Sequence, residues 1–190
     1  MGSSDVQMEV ARGYLSLGLT SMTFQTLEEI PVNGKTPPEC LLFRLELYQD
    51  CSRWEAMQEL TERLVRIQPQ EPQWWIYRAR AERTLDGMER AGEILKEAET
   101  LFPLHGRLQL ELACLASSMG RLDEACQRLA RAVLLDPGLG DEAKEEPDLE
   151  PVWEQFFFAE FEPGWGRPEG GYRLSRKHEV ETTDCTDEQG

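Results

Sequence analysis

Two consecutive stretches of the chain, 72-PQWWIYRARAERTLDGMERAGEILKEAETLFP-103 and 106-GRLQLELACLASSMGRLDEACQRLARAVLLDP-137, are versions of one another. Laid one over the other, they put Ala79 on Ala113, Leu85 on Met119, Ala91 on Ala125, Leu95 on Leu129, Ala98 on Ala132, Leu101 on Leu135 and Pro103 on Pro137. Every coincidence is small, apolar or proline, so what repeats is a core pattern. Within 122–137, Leu122, Ala125, Leu129, Ala132, Val133 and Leu135 share one helical face, and Asp123, Glu124, Arg128 and Arg131 lie largely opposite. Pro137 stops the helix because proline lacks the amide hydrogen that would continue the ladder. Ala113 and Ala125 let two helix axes approach, and Gly120 marks the turn between them, where a positive φ is expected.

The pattern extends backwards. At the same offset Pro69 aligns with Pro103, Ile67 with Leu101 and Leu64 with Ala98, whereas Ala56 with Ala91 and Leu60 with Leu95 need one place more. The slip implies one extra residue between Leu60 and Leu64. A helix–turn–helix unit of about 34 residues is the period of the tetratricopeptide repeat. The stretch 72–137 resembles that family through Trp75, Ala79, Ala91, Leu95, Ala98 and Pro103, then Leu112, Ala113, Gly120, Ala125, Leu129, Ala132 and Pro137. Residues 37–71 are a weaker copy, with Phe43, Leu47, Ala56, Leu60 and Pro69, and with Arg44 where the family prefers Gly or Ala. Residues 5–31 form a degenerate fourth pair with Tyr14, Leu17, Gly18 and the stop Pro31. The resemblance covers about two-thirds of the chain. It implies an all-α, right-handed α-solenoid of helical hairpins closed by a C-terminal capping helix. The expected organisation is a degenerate hairpin over 1–36, three repeats over 37–137, an acidic linker and cap over 138–162, and a disordered tail over 163–190.

A repeat array exposes an apolar face at its end and needs a cap. In 148-DLEPVWEQFFFAEF-161, Asp148 is the expected N-cap and Pro151 lies in the first turn. Leu149, Val152, Trp153 and Phe156 form the stripe expected to pack on the last repeat. Phe157, Phe158 and Phe161 spread round the rest of this helix, either buried by a broad cap or forming a partner-docking patch.

Charge narrows the function. The chain of 190 residues carries a net charge of -16. Residues 138–190 hold 15 acids and five bases, while 37–137 hold 17 acids and 13 bases. So acidic a surface repels phosphate backbones and argues against nucleic acid. No apolar run approaches the roughly 20 residues of a membrane helix, and no basic-then-apolar leader opens the sequence. Cysteines at 40, 51, 114, 126 and 185 are odd in number, with no pair at CxxC spacing. They argue against a disulfide framework or zinc site and for a reducing, cytoplasmic setting.

Chemistry is sparse. His105, just after Pro103, and His178, in the tail, belong to no nucleophile, metal or HExxH arrangement, and no phosphate-binding glycine loop occurs. No enzyme and no cofactor are expected. Trp75 holds the family's core aromatic position. Trp74, about 100 degrees round the helix, is expected at the surface or over the preceding helix.

The family resemblance places the first helix of each hairpin on a concave groove. Its lining is then Leu41, Leu45 and Tyr48 in 38–50, Ile76, Arg80 and Arg83 in 72–86, and Arg107, Leu110, Cys114 and Ser117 in 106–119. That mixture predicts a groove with an apolar half and a basic patch. Arg80, Arg83 and Arg107 suit carboxylates, because a planar guanidinium offers two donors at once. Alternatively these arginines are solvated helix charges paired with Glu82 and Glu111. The family's carboxylate-clamp subset uses Lys and Asn where Leu41 and Leu45 stand, which argues against a chaperone-tail receptor. The reading is a cytoplasmic, non-enzymatic scaffold or adaptor that binds a protein or peptide partner, with acidic residues suited to the groove. Dimerisation through the uncovered first hairpin stays open. The alternatives are a small acidic secretion-type chaperone, which is similar in size, repeat number and charge, and a regulatory subunit docking through cap or tail. In the latter, 172–185 pairs a basic cluster at Arg173, Arg176 and Lys177 with acids.

Overall fold

The computed structural model describes residues 3–158. Within them the chain forms ten α-helices and no strand. Four hairpins come first: α1 (Ser3–Ser16) with α2 (Thr20–Glu28), α3 (Pro38–Asp50) with α4 (Trp54–Ile67), α5 (Pro72–Leu85) with α6 (Met88–Leu101), and α7 (Gly106–Ser118) with α8 (Leu122–Leu135). Short α9 (Leu139–Glu145), a 3₁₀ turn (Pro147–Leu149) and α10 (Glu150–Phe158) follow. Each helix from α1 to α8 packs on the next in sequence. The odd-numbered helices also form a row, α1 against α3 and α5 against α7. The result is an all-α solenoid.

The turns show why the unit repeats. At the end of α1 the amide of Leu19 donates to Tyr14 O, at the end of α3 that of Arg53 donates to Tyr48 O, and at the end of α7 that of Arg121 donates to Ala116 O. These are the same helix-closing bond at steps of one repeat length or two. The residue before each donor is left-handed: Gly18 at φ 71, Ser52 at φ 54 and Gly120 at φ 73. The turn at Gly18 is therefore built like those at Ser52 and Gly120. In the third hairpin the left-handed residue moves one place on, to Gly87. Pro38 and Pro72 open α3 and α5, where a missing amide hydrogen costs nothing.

Three sequence expectations change. α4, α6 and α8 start at Trp54, Met88 and Leu122, evenly spaced, and are 14 residues long each, so the earlier unit holds no extra residue. Met57, Ala91 and Ala125 share one buried position and Thr61, Leu95 and Leu129 another. The small-residue place of Ala79 and Ala113 is filled in α3 by Leu45, not by Arg44, whose guanidinium instead reaches the Tyr48 hydroxyl at 2.9 Å. Trp74 is as buried as Trp75, at 1 % and 4 % exposure. α5 is sandwiched between α4 and α6, so two adjacent faces of it are covered. Cys40 and Leu108, one repeat either side of Trp74, are buried for the same reason. The Trp75 indole donates to Pro69 O at 3.1 Å, whereas the Trp74 indole nitrogen has no hydrogen-bond partner among the described residues.

Two apolar clusters result. The larger runs from Ala11 through the first three hairpins to Leu115. The second joins α7 and α8 to the C-terminal segment through Leu110, Cys114, Leu129, Leu139, Ala143, Leu149 and Val152. Residues 138–149 are thus folded, not a linker. Asp148 does not cap α10, because its carboxylate is engaged by Arg83, as described below. Leu149 and Val152 are fully buried and Trp153 is half-buried, its indole donating to Ala143 O at 3.2 Å. The side chains of Phe156, Phe157 and Phe158, all of Phe161, and the tail 163–190 lie outside the described residues.

Candidate functional site: the odd-helix face

The residues expected to line the groove fall into two groups. Leu41, Leu45 and Tyr48 are wholly interior, and so are Ile76, Leu110, Cys114 and Ser117. Only Arg80, Arg83 and Arg107 keep partial exposure. For α3 the cause is one of register. Moved forward by one repeat, Leu41, Leu45 and Tyr48 become Trp75, Ala79 and Glu82, which are also interior. Moved back by one repeat, Arg80 and Arg83 become Glu46 and Gln49. Those two are the face-lining residues of α3, and the repeat offset was the signal that would have found them. Glu46 is exposed, and Gln49 accepts from Arg80 Nη1 at 3.2 Å.

The face is a ladder of charge. Arg80 donates to both carboxylate oxygens of Glu111 and lies over the Tyr77 ring at 5.4 Å. Arg107 is bonded to Glu142 of α9 and lies 3.6 Å from Glu111. Arg83 grips Asp148 of the 3₁₀ turn with two bonds, Nη1 to Oδ2 at 2.5 Å and Nη2 to Oδ1 at 2.9 Å. Ser118 accepts from Arg83 Nη2 at 3.0 Å and donates to Asp148 Oδ1 at 3.1 Å. A bidentate pair of this kind fixes orientation as well as charge. Arg80 and Glu111 are paired as the alternative sequence reading expects, but Glu82 pairs with Arg78, at 3.7 Å.

Charge states follow from these contacts. Asp148 is held below the ordinary carboxylate range by the hydrogen bonds from Arg83, against the opposing effect of burial. Glu146 goes the other way. Burial raises its pKa first and the neighbouring Glu111 adds to this, while Arg80 and Arg107 only partly offset both. Burial chiefly, then nearby acids, pushes the Cys114 thiol upward, so Cys114 is an apolar filler rather than a nucleophile.

The C-terminal segment therefore covers the part of this face that α7 contributes. The 3₁₀ turn and α9 both pack on α7, and Leu110 and Cys114 lie in the cluster with Leu149 and Val152. The acids Glu142, Glu146 and Asp148 come with them. No sequence motif announced this, because the pairs span 35 and 65 residues. The part contributed by α3 and α5, around Glu46, Gln49 and Tyr77, is not covered by α9 or the 3₁₀ turn to the same degree, and Glu46 stays exposed.

Elsewhere the chemistry is thin. Among the described residues no group of three or more His, Cys, Asp or Glu side chains could hold a metal ion. No described helix is long and apolar enough to cross a membrane. His105 is the N-cap of α7, its Nδ1 accepting from the Leu108 amide at 3.2 Å.

In fold, this architecture is similar to tetratricopeptide-repeat solenoids of known structure. Similar solved structures include a thermophilic TPR protein of Thermus thermophilus, with a TM-score of 0.59 at 18% identity over 83% of this chain and 90% of that one. Another is MamA residues 41 to the end from Desulfovibrio magneticus RS-1, at 0.56 and 16% over 83% and 94%. A third is MamA of AMB-1, at 0.55 and 20% over 72% and 80%. At these identities the likeness is one of fold. No protein-family model matches the sequence, and no curated protein matches it either.

Proposed function

We propose that the protein is a non-enzymatic, cytoplasmic scaffold or adaptor that binds a segment of a partner protein along the odd-helix face. The observation that supports this is the charge ladder Gln49–Arg80–Glu111–Arg107, held on three rigid helices rather than on loops. Preformed helix surfaces bind without the ordering cost a flexible loop incurs. Arg83 and Arg107 are occupied by the chain's own Asp148 and Glu142, so a partner that displaces these would have to offer carboxylates in their place, to which Arg presents paired donors in a fixed plane. Binding would require no chemistry on the partner.

The test places a photo-crosslinking side chain at Glu46, on the open part of the face, or at Leu134, which is exposed on α8. In extracts of the native host, the Glu46 position is expected to trap a discrete partner that the Leu134 position does not. Equal trapping at both positions, or trapping at Leu134 alone, would remove the odd-helix face as the binding surface.

A further inference from the structure

We infer that the α7 end of the odd-helix face is a docking site for an acidic–apolar peptide segment, and that the chain's own residues 139–152 fill it as an intramolecular stand-in for that ligand. The inference rests on the odd-helix face being the binding surface and adds what it binds.

Three observations carry it. First, the contacts join a segment to a face far from it in sequence: Glu142 to Arg107, Asp148 to Arg83 and Ser118, with Leu149 and Val152 buried among Leu110 and Cys114. This is how a short peptide sits on a helical surface, with apolar anchors for affinity and charged forks for register. Second, the segment is weakly built by itself. α9 has seven residues and no side-chain cap, and the chain between it and α10 is a single 3₁₀ turn. A helix that short is held by what it packs on. Third, the fit is imperfect. Glu146 is brought beside Glu111 and forms no ion pair of its own among the described residues, while the Arg83–Asp148 pair keeps about a third of each side chain exposed. An outside segment that reproduces Asp148-Leu149 and Val152 without a carboxylate at the place of Glu146 would compete well. The stand-in thus defines the ligand pattern: an aspartate, an apolar residue directly after it, and a second apolar residue three further on.

The experiment uses the full chain carrying Asp148→Ala, Leu149→Ala and Val152→Ala, with a fluorescent peptide of residues 139–152 as probe. Peptide binding is expected to this variant and to be about tenfold or more weaker to the natural chain, whose site is filled. Adding Arg83→Gln to the variant, or replacing the aspartate of the peptide by asparagine, is expected to weaken binding about tenfold, the loss of one bidentate pair. The thermal midpoint of the variant is expected to rise with peptide concentration. A folded variant that ignores the peptide, equal binding of a scrambled peptide, or a variant that fails to fold and is not restored by peptide would each overturn the inference, the last by showing that 139–152 is an inseparable part of the fold. The crosslinking at Glu46 reports separately. If it succeeds while the peptide fails, only the stand-in idea falls. If the peptide binds while Glu46 traps nothing, the binding surface is confined to the end of the face formed by Arg83 of α5 and by α7.

Discussion

Leu149 is the residue on which the C-terminal seal depends. It has no exposed surface and sits in the 3₁₀ turn that lies against α7. Replacing it by alanine removes buried carbons at about 0.8 kcal/mol each, and the cavity left among Leu110, Leu139 and Val152 adds to that. The expected loss is about 3 kcal/mol, inside the span of about 2–5 measured for buried Leu→Ala changes. In a repeat array stability is carried by each unit and its neighbour interfaces, so the damage stays local. Hydrogen exchange followed by mass spectrometry is therefore the better assay, alongside urea unfolding. Amides of α7 and α8 are expected to exchange roughly 100-fold faster, the equivalent of about 3 kcal/mol, while those of α1 to α4 hold their rates. Leu134→Ala, at a site 76% exposed, is the control and is expected to stay within about 0.5 kcal/mol. A loss below about 1 kcal/mol for Leu149→Ala, or equal acceleration in α1–α4, would refute both the seal and the one-dimensional coupling.

Glu146 holds its proton more tightly folded than unfolded, so ionising it costs stability as pH rises through and above the ordinary carboxylate range. Glu146→Gln is expected to raise the melting temperature at pH 7 and to lose that advantage near pH 4; a lower melting temperature at pH 7 would contradict the assigned cause. For His105 the sign is opposite to that of a paired histidine: burial, then Arg107, lowers its pKa, so its contribution is full above about pH 6.5 and declines below it. His105→Ala is expected to cost about 1 kcal/mol at pH 8 as a lost cap and less at pH 5, checked by denaturation at both values. Gly106→Ala would place a methyl group 3.0 Å from Leu139 Cδ1 and 3.2 Å from the backbone oxygen of Ala132. It is expected to destabilise although alanine favours helix by about 1 kcal/mol, and a more stable variant would show that the α7–α9 contact has room to yield.

Much of the architecture is legible in the sequence because it rests on local chemistry. The left-handed turn residue Gly120, the prolines that open or end helices, and the small residues at Ala79 and Ala113 act through their own backbone or their nearest turn. A constant spacing repeats that chemistry, and the stacked hairpins follow. The site was less legible. Arg80, Arg83 and Arg107 stand out as a face by helical spacing, but the residues assigned beside them on α3 were one helical face away from Glu46 and Gln49. Helical period alone cannot tell a groove face from a core face when helix α3 has apolar residues on both, as Leu42 and Phe43 beside Leu41 and Leu45 illustrate.

The sequence by itself determined the all-α architecture of stacked helical hairpins, since each hairpin is decided within a single repeat length of chain. It also located the excess acid in the C-terminal third, beyond a nearly balanced body. Only the tertiary structure decided where Glu142 and Asp148, two of those acids, go. The pairing of Arg83 with Asp148 and of Arg107 with Glu142 depends on residues 139–152 turning back over α7. Buried Leu149 and Val152 enforce that turn, because an open repeat end leaves apolar surface in water. A charge tally carries no information about such a fold-back, and the face that looks basic in the sequence is, in the folded chain, already matched to carboxylates.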